Sequence, residues 1–183
     1  MHLQIITRLI MAPKSFILFT LLTLSLYFPA TTAVEYYVTN LAANTPGGIR
    51  FTNEIGIPYT KQIMGTINNF IWSIFDGAEA IRWGANNINV SSIYLKGYEG
   101  DLKWEFTSLL YNEMTHCFQW DGESHAPVGL VEGVADYTIL KAGYAPEGFA
   151  KPGQGERWDQ GYDFTARFLE YCDGICPRVC GKA

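Results

Sequence analysis

Tyr111-Asn112-Glu113-Met114-Thr115-His116-Cys117-Phe118-Gln119-Trp120 is the stretch on which the reading of this chain turns. Its apolar residues extend a stripe of Leu102, Phe106, Leu109, Leu110, Met114, Cys117 and Phe118, whose spacing predicts a helix from Asp101 to Trp120, ended by Asp121-Gly122. Asn112 and His116 stand four apart and share a face, with Glu113 at its edge. Were residue 112 a histidine, positions 112 to 116 would spell His-Glu-x-x-His, in which two imidazoles one turn apart bind zinc and the glutamate activates water. Asparagine offers a neutral amide, a poor zinc ligand beside imidazole.

A second helical pattern runs from Leu130 to Ala142 and is stopped by Gly143 and Pro146. It carries Glu132 and Asp136, again four apart. Bringing the two faces together would cluster His116, Glu132, Asp136 and Glu113, the arrangement of a mononuclear zinc hydrolase: ligands from two helices, a general-base carboxylate, and an aspartate that orients an imidazole. Taken alone, Asn-Glu-x-x-His is equally an exposed polar helix face with one histidine.

Working outward, Ile63, Ile67, Phe70, Ile71 and Ile74 line one face of a helix from about Tyr59 to Phe75, an ordinary core element. Glu35 to Asn40 has strand composition, Asn44-Thr45-Pro46-Gly47-Gly48 turns the chain, and Asp76-Gly77 opens another turn. Asn87 to Ser91 alternates polar and apolar as a half-buried strand does, and Asn89-Val90-Ser91 is an N-glycosylation sequon that marks Asn89 as an acceptor where exposed. A loop with Pro152, Gly153 and Gly155 leads to a fourth helix, about Asp159 to Tyr171. No internal repeat or low-complexity linker divides the chain.

The N-terminus reads as a secretory signal peptide. Lys14 precedes the uncharged run Ser15 to Phe28, and the small residues Ala30-Thr31-Thr32-Ala33 offer cleavage after Ala33. Met11-Ala12-Pro13-Lys14 would itself open a good signal, so residues 1–10 read as an upstream extension of the gene. The 14 apolar and uncharged residues of that run fall short of the roughly 20 that a membrane span needs. Cleavage removes two of the 13 basic residues and none of the 18 acidic ones, taking the net charge from −5 to −7. An acidic chain with its Lys and Arg scattered singly has no basic stripe for nucleic acid. Cys117, Cys172, Cys176 and Cys180 all survive processing, which suits an oxidising compartment. The last three, spaced by four, would share a helix face; that invites a metal, but the spacing is no standard zinc pattern and a frayed or disulfide-linked tail reads better.

Four stretches resemble the plant basic secretory protein family: the decapeptide quoted above, Gly129 to Tyr137, Leu140 to Pro146, and Lys151 to Leu169. The resemblance runs from about Val34 to Cys172. It implies a zinc metallopeptidase of the gluzincin kind, secreted to the apoplast and associated with plant defence, acting on peptides or proteins without nucleic-acid or membrane partners. It implies an α/β, zincin-like single domain, with a small twisted sheet packed on several helices, one of them carrying the active site. Residue by residue, His116 would be the second histidine ligand, Glu132 the third zinc ligand, Glu113 the general base and Asp136 the aspartate behind the ligands; Tyr162 or Tyr137 would stabilise an oxyanion.

The chain departs from that family in three places. Asn112 replaces the first histidine ligand, a segment expected to be a sheet strand is missing between Phe75 and Asp76, and residues 173–183 diverge into a cysteine-containing tail. The domain is therefore expected over residues 34–172, with peptide hydrolysis weak or lost, or with a non-catalytic binding or decoy role in its place. His125, in the loop between the two site helices, is a candidate substitute ligand; the plainer reading is a solvent-exposed loop histidine.

Overall fold

Six α-helices carry the described part of the chain, and each begins or ends where a specific residue dictates. The computed structural model describes residues 34–75 and 87–176, and the compact unit they build begins at Tyr36. Helix α1, Pro46–Arg50, opens with Thr45 accepting from the Gly48 N–H and with proline in the first turn, where its missing N–H costs nothing. It runs into a π-helical turn, Phe51–Ile55. Gly56, at φ 80°, breaks that turn and starts α2, Ile57–Ile74. A short α3, Ser92–Gly97, is capped by Ser91. Next come α4, Leu102–Phe118, α5, Val128–Ala142, and α6, Tyr162–Ile175.

The helix carrying the decisive stretch, α4, is anchored by Asp101, whose Oδ1 accepts from the N–H groups of Lys103 and Trp104 at 3.0 Å each. Such a cap stabilises a helix by about 1 kcal/mol. Leu102, Phe106, Leu110 and Met114 recur every four residues and are all buried, against Ile67 and Ile71 of α2 and against Phe51 and Ile55. This core fixes one face of α4 inward and leaves Asn112 and His116 on the flank toward α5.

At its C-terminus α5 closes with Gly143 in the left-handed region, φ 77°, while the Gly143 and Tyr144 N–H groups reach back to Leu140 and Ile139. This double bond of a glycine-terminated helix satisfies two carbonyls that would otherwise be orphaned. It also turns Tyr144 onto α4, where its ring stacks on Tyr111 at 5.2 Å and its carbonyl accepts from Ser108 Oγ. On the other side α5 packs against α6 through a second core of Tyr137, Ala166 and Leu169. Their backbones come close because Gly133 has no side chain: a Cβ there would lie 2.3 Å from Thr165 Cβ.

The expected twisted sheet is not found; the described residues contain no strand. Residues 34–40 and 87–90 do alternate half-buried with exposed, as a strand's residues would. Their apolar members Tyr36, Val38, Ile88 and Val90, however, pack onto the helical core rather than beside a hydrogen-bonded neighbour. The alternation is thus satisfied by helices, and the architecture of the described residues is all-α. Pro46-Gly47-Gly48, expected in a turn, instead begins α1. The Asp76-Gly77 turn, the signal peptide over residues 1–33 and Cys180 lie outside the described residues. Among those described, no disulfide joins Cys117, Cys172 or Cys176, so no disulfide-linked tail is seen up to Cys176.

Candidate functional site

The flanks of α4 and α5 meet through three polar contacts, two of which join the i, i+4 pairs. Asn112 Nδ2 donates to Asp136 Oδ1 at 2.9 Å. One turn on, His116 Nε2 lies 3.6 Å from Glu132 Oε2, and both side chains are 27% exposed. Beyond them, Gln119 Nε2 donates to the Val131 carbonyl at 2.9 Å, and Gln119 Oε1 lies 3.1 Å from His116 Nδ1. The helical spacing that placed Asn112 with His116, and Glu132 with Asp136, brings the four side chains together as two facing pairs.

Asp136 is the electrostatically unusual member. Burial pushes its carboxyl up to about 6 from an ordinary 3.8; the Asn112 hydrogen bond pulls the other way, Asp163 and Glu132 add to the rise, and His116 opposes it. Asp163, in the first turn of α6, is itself held by accepting from the Ala150 N–H at 2.8 Å. A cavity of about 420 Å³ opens beside this pair and is lined by Ser108, Asn112, Asp136, Phe149, Tyr162 and Asp163 among others. Tyr162 is 59% exposed and takes φ 49°, a left-handed conformation that non-glycine residues rarely adopt and that recurs at functional sites.

The remaining expected residues stand apart from that cavity. Glu113, His116 and Glu132 lie outside its lining. Glu113 is half-buried and faces along its own helix toward Cys117, whose thiol is pushed up by burial first and by Glu113 second. Tyr137 is buried in the core between α5 and α6, whereas Tyr162 faces the cavity. His125 is exposed, its Nδ1 3.0 Å from the Gly122 carbonyl of its own loop. Asn89 is exposed, and Ser91 of the same sequon caps α3.

Gln119 and Asp163 were given no role by the sequence. Gln119 sits three residues past His116, directly after α4, where its backbone turns extended. Nothing in the sequence alone brings Asp163 to Asp136, since that depends on how α6 packs.

Zinc, which the resemblance implies, can be tested against this donor set. A catalytic zinc site takes three protein ligands and keeps one position open. His116 and Glu132 converge on one point, but the third position holds an amide whose N–H₂ end is committed to Asp136. Among the described residues no group of three His, Cys, Asp or Glu side chains is placed to hold a metal ion. The residues present do not fit a three-ligand zinc centre.

A helical core thus presents facing Asn112/His116 and Asp136/Glu132 pairs, with a cavity at their edge. The sequence profile of a family described as "Peptidase of plants and bacteria" matches residues 76–181, and the chain belongs to this family, that of the basic secretory proteins. The match takes in α4, α5, α6 and every residue of the two facing pairs. No curated protein and no solved structure matches the chain.

Proposed function

We propose that this chain is a secreted, defence-associated member of its peptidase family in which zinc-dependent peptide hydrolysis is weak or lost. One observation carries the reading: Asn112, where the resemblance expects the first histidine ligand, donates its amide to Asp136. That contact places an amide donor on the aspartate that would orient an imidazole, and it commits the amide nitrogen, which is no zinc ligand, to Asp136. Without a metal to lower the pKa of a bound water toward about 7, Glu113 has no activated water to deprotonate.

A second reading, a binding or decoy protein that holds peptide without turnover, is favoured by the cavity. Its lining combines Phe149 and Tyr162 with the Asn112 and Asp136 polar groups, the mixture that ligand pockets use. Among the described residues no helix is long and apolar enough to cross a membrane.

The test compares hydrolysis and binding of a peptide library by the purified chain and by Asn112→His, with and without chelator. Hydrolysis that appears only in Asn112→His supports the disarmed-peptidase reading. Chelator-independent binding without turnover supports the second. Chelator-sensitive hydrolysis by the parent contradicts both, and His125→Ala would then show whether the loop histidine supplies the missing ligand.

A further inference from the structure

We infer that Gln119 is a positioning residue that holds His116 as the tautomer with its proton on Nδ1 and its lone pair on Nε2, facing Glu132. A carbonyl oxygen only accepts, so the group of Gln119 that lies 2.9 Å from the Val131 carbonyl is the amide nitrogen. The Gln119 oxygen is then the atom 3.1 Å from His116 Nδ1. That oxygen also only accepts, so in the neutral ring Nδ1 carries the hydrogen and donates. The tautomer of an imidazole is set by the hydrogen bond its other nitrogen makes.

The consequence lies at Nε2. With its hydrogen on Nδ1, His116 presents an acceptor, not a donor, to a Glu132 carboxylate oxygen 3.6 Å away. Two acceptors face each other across a gap beyond hydrogen-bonding reach. Left to itself, the ring would place its hydrogen on Nε2 and donate to the carboxylate, its strongest nearby acceptor. The Val131 carbonyl, through Gln119, holds it in the other form. What such a pair accommodates is an electron-poor visitor, a donor N–H or O–H or a cation, and the pairing is built from residues of α4 and α5 alone.

This inference goes beyond the proposed function and is tested apart from it, because the tautomer is read with chelator present and without substrate. Only His116 and His125 follow the signal segment, so a long-range proton–nitrogen NMR spectrum in alkaline buffer resolves two neutral rings, with His125 as internal reference. The expected result is Nδ1–H for His116 in the parent and inversion to Nε2–H in Gln119→Leu. His125 is unchanged throughout. A parent ring protonated on Nε2, or a Gln119→Leu ring still protonated on Nδ1, overturns the inference. If Gln119→Leu fails to fold, the parent spectrum decides, and Nε2–H there overturns the inference.

Discussion

Asn112 and Asp136 are joined by a 2.9 Å hydrogen bond from the amide nitrogen of the one to Oδ1 of the other, and this link ties α4 to α5 where the family resemblance expects an imidazole held by the same aspartate. The amide thus supplies to Asp136 a donor such as the N–H of that expected ring would supply, at a position that carries no imidazole.

The Asp136 carboxyl gives that link a pH signature. Its folded value of about 6 stands above the ordinary 3.8, so between these values the folded state holds a proton that the unfolded chain has released. Stability conferred by this group therefore falls as pH rises from about 4 to about 6 and is level above that. Urea unfolding midpoints across this range should show the decline in the parent and not in Asp136→Asn. Because the Asn112 donor lowers the Asp136 value, Asn112→Leu should move the decline to higher pH. A parent profile that rises through the window would contradict the assignment.

Gly133→Ala sets helix propensity against packing. Alanine favours a helix interior by about 1 kcal/mol over glycine, but the added Cβ would meet Thr165 Cβ and Cγ2 at 2.3 Å in a buried interface. Overpacking of this kind costs about 1–3 kcal/mol. Packing should win, with net destabilisation of up to about 2 kcal/mol in chemical denaturation. A variant as stable as the parent would mean that α5 and α6 are not in contact at this point.

The left-handed conformation of Tyr162, φ 49°, costs a non-glycine residue about 1–2 kcal/mol, and its ring is 59% exposed. Tyr162→Gly removes that strain and gives back part of the gain as unfolded-chain entropy, about 0.5–1 kcal/mol. The unfolding free energy should stay level or rise by up to about 1 kcal/mol, while peptide affinity falls because the ring lines the cavity. A clear loss of stability would show that the ring is structural.

The helices were the legible part of this fold because Leu102, Phe106, Leu109 and Leu110, and likewise Ile67, Phe70, Ile71 and Ile74, mix spacings of three and four, which a helix turns to one side and a strand does not. The sheet was misread for a physical reason. Tyr36 and Val38, and Ile88 and Val90, alternate as a strand's residues do, but alternation reports a half-buried extended segment and does not say what buries it. Pro46-Gly47-Gly48 looked like a turn because proline and glycine break helices in their interiors; behind a Thr45 cap the same residues start one. At the site, the Asn112/His116 and Glu132/Asp136 pairs were visible from i, i+4 spacing alone. Gln119 lay within the quoted stretch, yet its role depends on a backbone carbonyl of another helix. The cavity's far wall, Phe149, Tyr162 and Asp163, depends on the packing of α6 and of the loop before it.

The most direct test of the central claim is zinc stoichiometry, measured after dialysis of the purified chain and of Asn112→His against the same zinc buffer. The account predicts far less than one zinc per chain in the parent and close to one in Asn112→His, with His116 and Glu132 required in the variant. One zinc per chain held as tightly by the parent as by Asn112→His would contradict it.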